Sequence, residues 1–280
     1  MHFEFLCDTI NFNSNDFGKG DKNMAKLTFL GTCSGTEPMP NRHHSSVVLE
    51  TNGVYYWFDA GENCSFKAHN MGIDISRVRA IFISHMHIDH IGGLANLLFT
   101  IQKLERITKK PHINNQCYDI FVPETKKLQC AREIGEVSAN PKSGVRGIEH
   151  VIGDGLIFED ENIRVTAIHN THLKETGENG WHAYSFLIEV EGKRIVFSGD
   201  VGFPEELDSF VTDGCDILIM ETGHHKVSDV CSYASSRNVK KLLLTHHGRE
   251  ILRDVDAARQ MVATLHENAK ICNDEDVVLL

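Results

Sequence analysis

The sequence predicts a mixed α/β fold in which helices cover the faces of β-sheets. Three observations carry that prediction. Short β-branched and aromatic runs alternate with stretches of three-and-four apolar spacing in both halves of the chain. No residue-level repeat, low-complexity tract or linker divides it. One apolar run ends abruptly in a cluster of histidine and aspartate.

At 280 residues with 41% hydrophobic content, the chain can bury a sizeable core. Residues 1–23 are polar, patternless and rich in Asn, Asp and Gly, and are expected to form a loosely held extension. A single domain is expected over 24–280. Its first strands are predicted at 26–30, 46–49, 54–58 and 80–84, with Asn52-Gly53 turning between the middle two. Leu94, Leu97, Leu98, Ile101, Leu104 and Ile107 then recur at helical spacing, which predicts an amphipathic helix over 92–110 ahead of Pro111. Further strands are predicted at 118–122, 163–168, 185–190, 195–198, 216–220 and 241–245, with helices over 228–236 and 251–266.

No apolar run approaches the roughly 18 to 20 residues needed to span a bilayer. The opening residues lack the basic and continuous apolar regions of a secretory signal, so a soluble, cytoplasmic protein is expected. Eight cysteines without a Cys-x-x-Cys pair read as reduced, structural thiols. The net charge of -11 argues against long nucleic acid as a partner. It does not exclude a small phosphate, because salt confines the global field to about 8 Å and bound cations dominate locally.

The chemistry-bearing signal is Ile81-Phe82-Ile83-Ser84-His85-Met86-His87-Ile88-Asp89-His90. Residues two apart on extended backbone point to one side, so His85 and His87 can share one centre while Asp89 and His90 face a second. By composition this pattern arises in roughly 0.4% of shuffled chains, which makes coincidence a poor account of it.

The motif resembles the signature of the metallo-β-lactamase superfamily. Within it the chain is most similar to the tRNase Z and phosphodiesterase branch. Phe29-Leu30-Gly31-Thr32-Cys33-Ser34-Gly35-Thr36-Glu37-Pro38 matches that branch's opening strand and turn, and Ser45-Ser46-Val47-Val48-Leu49 its second strand. The resemblance implies a four-layer αββα sandwich with a dinuclear site at one edge. It implies His172 as the third histidine of the first centre, with His169 as the alternative. In Ser198-Gly199-Asp200 it implies Asp200 as the carboxylate shared by both centres. It implies His246, rather than His247, as the last ligand.

The implied sets are therefore His85, His87 and His172 on one cation, Asp89, His90 and His246 on the other, with Asp200 between. Such nitrogen-rich sites suit zinc, with manganese and iron compatible. The implied nucleophile is a hydroxide bridging the metals, with Asp89 counted among the catalytic residues. In Glu221-Thr222-Gly223-His224-His225 the resemblance implies a catalytic histidine beside an acidic partner, and His225 is the candidate proton donor; the usual Glu-Ala-Thr is altered here.

The resemblance also has limits. Short-form tRNase Z chains carry a long arm between the third histidine and the bridging Asp, and this sequence has no room for it. A small or cyclic phosphodiester is the expected substrate. A thioesterase or lactonase on the same fold, or a tRNase Z-type ribonuclease, is the alternative. A homodimer is compatible with the family, and residues 138–144 are a candidate insertion forming a lid or substrate wall.

Overall fold

The computed structural model describes residues 24–108, 113, 114, 116–135, 144–173 and 180–280. The expected extension over 1–23 and most of the candidate insertion lie outside these residues.

The first sheet takes β1 (Lys26–Gly31), β2 (Ser46–Thr51), β3 (Val54–Phe58), β4 (Val78–Phe82), β5 (Cys117–Val122) and β6 (Arg146–Val151). The second takes β7 (Gly155–Glu159), β8 (Ile163–His169), β9 (Tyr184–Val190), β10 (Lys193–Phe197), β11 (Ile217–Thr222), β12 (Leu242–His247) and β13 (Ala269–Ile271). The chain then returns as β14 (Val277–Leu279), beside β1. Strand orders are β14-β1-β2-β3-β4-β5-β6 and β13-β12-β11-β10-β9-β8-β7.

The helices are α1 (Cys64–Asn70), α2 (Ile88–Ile91), α3 (Leu94–Thr108), α4 (Thr125–Gly135), α5 (Asp208–Val211), α6 (Val227–Ser236), α7 (Arg249–Leu252) and α8 (Val255–Leu265). None among the described residues is long and apolar enough to cross a membrane.

Period-two geometry sorts the apolar runs into layers. Ala80 and Phe82 join Phe58, Phe186, Phe197 and Ile219 between the sheets. Their neighbours Ile81 and Ile83 face the other way, onto Leu94, Leu97 and Ile101 of α3. Leu218 and Met220 likewise pack with Val227, Val230 and Val262 behind the second sheet. The result is the predicted αββα sandwich. It explains why Ile81-Phe82-Ile83 shows no polar alternation, since both of its faces are covered.

Two differences from the predicted elements have local causes. The helix expected over 251–266 divides, because the Asp254 side chain accepts the Ala257 N–H at 2.9 Å and caps a new helix start. The apolar stripe of α3 ends before Ile107, which is exposed.

Candidate metal centre

Parallel strands of both sheets end at one edge of the sandwich. There β3 delivers Asp59 and β4 leads through Ser84 into His85. From the second sheet β10 delivers Asp200, β11 delivers Glu221, and β12 ends on His246 and His247. The turn at Gly199 has φ of 57°, and a Cβ there would sit 2.7 Å from Ser84 Cβ, so Gly is required for conformation and for space.

The structure brings His85, His87, His172, Asp200, Asp89, His90 and His246 together. His85 Nε2 and His172 Nε2 lie 2.9 and 3.3 Å from His87 Nδ1. Asp200 divides its carboxylate between two groups of donors. Its Oδ2 is 3.7 Å from His85 Nε2 and 3.6 Å from His172 Nε2. Its Oδ1 is 3.4 Å from His90 Nε2 and 3.3 Å from His246 Nδ1. Asp89 Oδ2 closes the second group, 3.1 Å from His246 Nε2 and 3.5 Å from His90 Nε2.

His169 is turned elsewhere. Its Nδ1 bonds Asp154 at 2.7 Å and its ring stacks on Trp181 with centroids 4.1 Å apart. His247 also points away from the cluster, with Nδ1 3.1 Å from Thr222 Oγ1 and Nε2 2.8 Å from the Cys272 carbonyl.

The sequence profile of the family described as Anti-Pycsar protein Apyc1 matches residues 25–270. The chain belongs to this family. Among similar proteins, Ribonuclease Z of Shouchella clausii is 25% identical over 308 residues, spanning 89% of this chain and 95% of the relative. The metallo-β-lactamase fold protein YhfI of Bacillus subtilis superimposes with a TM-score of 0.69 at 17% identity, covering 91% of this chain and 99% of its own. A diphosphatase of the PhnP family gives 0.66 at 18% identity, with 91% and 98% covered. This Apyc1-family chain has the metallo-β-lactamase fold and is a metal-dependent hydrolase.

The side chains present fit metal ions. Three donor groupings converge: His85, His87, His172 and Asp200; Asp89, His90 and His246; and Asp200, Glu221, His224 and His246. His90 Nε2, Asp200 Oδ1 and His246 Nδ1 are buried without a hydrogen-bond partner. Each such orphan costs about 1–3 kcal/mol, and a cation among them would satisfy all three.

The electrostatics of the Apyc1-family site follow its geometry. Burial pushes His85 well below the ordinary imidazole value, and the surrounding histidines push it further. Burial would also lower His246, but the Asp200 charge, the hydrogen bond to Asp89 and the nearby Glu221 carboxylate outweigh it and raise the group to about 9. Burial would raise the Asp89 carboxyl, yet His246 and His90 hold it well below the usual range.

Two further residues act here without having been singled out from sequence. Asp59, fully buried, accepts the Ser84 N–H at 2.7 Å and Ser84 Oγ–H at 2.8 Å, and faces His90 Nδ1 at 2.7 Å. It thereby sets the imidazole so that Nε2 looks into the site. Its signal was available: an acidic residue closing an apolar strand, where ligands of such sheets gather.

The second is His224. Of the pair His224-His225, the geometry brings His224 into the cluster: its Nδ1 is 3.7 Å from Asp200 Oδ2, and its ring stacks on His246 at 5.6 Å. His225 turns its Nε2 to the Val201 carbonyl at 3.1 Å and reaches only Glu221 Oε1, at 3.5 Å.

Proposed function

We propose that this chain is a dinuclear phosphodiesterase acting on a small or cyclic phosphodiester. The observation that carries the reading is the division of Asp200, whose two oxygens face separate histidine groups, beside a Glu221–His224 pair on the same edge. His85, His87 and His172 would hold one divalent cation, and Asp89, His90 and His246 the other, with Asp200 between; the imidazole-rich set favours zinc. Bound there, the cations would supply Lewis acidity and positive charge toward phosphoryl oxygens.

The chain's own groups supply the rest. Asp89 and Asp200 remain ionised and orient the imidazoles around them. The bond to Glu221 and that group's charge raise the proton affinity of His224, which suits it to donate to a leaving alkoxide. It takes the role that the sequence assigned to His225. Membership in a family described as anti-Pycsar proteins extends the proposal to that biological role.

A second reading, RNA cleavage, draws support from the similarity to Ribonuclease Z across most of the chain. The short segment between His172 and Asp200, which includes β9 and β10, favours the smaller substrate. The test is metal analysis of purified protein with assays on bis(p-nitrophenyl) phosphate, cyclic nucleoside monophosphates, precursor tRNA, thioesters and lactones. Two equivalents of metal with turnover of the small phosphodiesters is expected. Turnover confined to thioesters, lactones or precursor tRNA would overturn the proposal.

A further inference from the structure

His172 stands apart from the other donors in what holds it. The strand ladder of β8 with β9 makes its last backbone bond from Asn170 N–H to the Ala183 carbonyl. Beyond that point the backbone is held by side chains. The His172 N–H is accepted by Asn170 Oδ1 at 3.0 Å, and Asn170 is itself braced by Ser185 Oγ at 3.2 Å. The Thr171 N–H is accepted at 2.9 Å by Glu206, which belongs to the 3₁₀ turn Pro204–Leu207 following Asp200.

The other oxygen of Glu206 accepts the N–H groups of Gly202 and Phe203 at 2.8 and 3.3 Å. Those two bonds alone would be a capping arrangement for the short turn. The Thr171 bond adds a cross-link between separate segments, one carrying His172 and the other Asp200. The segments touch, since a Cβ on Gly202 would meet Thr171 Oγ1 at 2.1 Å.

We infer that Glu206 is a positioning residue that sets His172 against Asp200 and thereby completes the His85–His87–His172 centre. The inference rests on the metal reading proposed above. Glu206 touches neither His172 nor Asp200 through its side chain. It acts on the backbone one residue before the first and two residues after the second. The Asp89–His90–His246 centre shares Asp200 but takes no donor from the His172 segment, so loss of the clasp falls first on the His85–His87–His172 centre.

The test is titration of metal-stripped protein with zinc or manganese, resolving the two equivalents, for wild type, Glu206→Ala, Glu206→Gln and the neighbouring Glu205→Ala. In Glu206→Ala one equivalent should weaken by about 10- to 100-fold, the range usual for residues that orient ligands, and the other by much less. Glu206→Gln, whose amide oxygen can still accept the Thr171 N–H, should recover part of that loss, and Glu205→Ala should match wild type. Melting of the stripped proteins should agree within a few degrees.

Unchanged binding of both equivalents by Glu206→Ala would overturn the inference. So would equal weakening of both with a lower melting temperature of the stripped protein, which marks a general prop. Wild type that takes up no metal would instead remove the dinuclear reading itself.

Discussion

Glu221 grips His224 with its whole carboxylate. The imidazole Nδ1 lies 3.1 Å from Oε1 and 3.1 Å from Oε2, and Oε2 also accepts the N–H groups of Gly223 and His224 at 2.9 Å. With Nδ1 engaged, Nε2 is the nitrogen left for a substrate. Burial would raise Glu221, but the bond from His224 and the nearby His246 imidazole hold it well below the usual carboxylate range, so it stays ionised as the anchor.

His224→Ala should therefore lower turnover of an unactivated phosphodiester by about 10²- to 10⁴-fold. The loss should be smaller on a p-nitrophenyl ester, whose leaving group needs no proton. Metal content should not change. His225→Ala should stay within a few-fold of wild type on both substrates, and a comparable loss there would return the role to His225.

Gly199 tests the backbone rather than the ligands. Its φ of 57° and the 2.7 Å approach of an added Cβ to Ser84 combine two penalties at the turn that presents Asp200. Gly199→Ala should cost about 1–3 kcal/mol from conformation alone, with the collision added to it. Denaturant unfolding of the metal-free protein would measure this, and an unchanged midpoint would show that the turn relaxes freely.

His247 gives a pH signature. Burial lowers it from 6.5 to about 3, and its bond to the Cys272 carbonyl only partly offsets that effect. Between these values an unfolded chain takes up a proton that the folded chain does not. Stability should accordingly rise with pH across that window, by up to ~1.4 kcal/mol per pH unit, and level off above 6.5. Stability profiles of wild type and His247→Gln, taken in chelator, should differ by this slope. Parallel profiles from pH 4 to 6.5 would show that His247 is protonated in the fold.

Much of the fold was legible because local patterns and tertiary packing agree. The apolar runs that became β4, β10 and β11 are buried on both faces over most of their length, and α3 and α6 carry their apolar residues on one stripe. Elements whose pattern is weak were not legible. The edge strand β6, Arg-Gly-Ile-Glu-His-Val, pairs with β5 alone and exposes Ile148 and Val151. The three-residue strands β13 and β14 are too short to show a period.

The sequence by itself determined the chemistry available: His85-Met86-His87-Ile88-Asp89-His90 at the exit of an apolar strand, Ser198-Gly199-Asp200 after another, and histidines closing later runs. The family resemblance pointed to His172 and His246, whereas only the tertiary structure set His224 rather than His225 in the cluster and fixed where His169 and His247 turn instead. Which imidazole turns inward depends on contacts with segments far away in sequence. His246 and His247 are sorted by strands β11 and β12, His169 and His172 by Asp154, Asn170 and Glu206, and His224 and His225 by Glu221. The pairing of Asp59 with His90 was hidden for the same reason, since it exists only because β3 and β4 lie side by side and parallel.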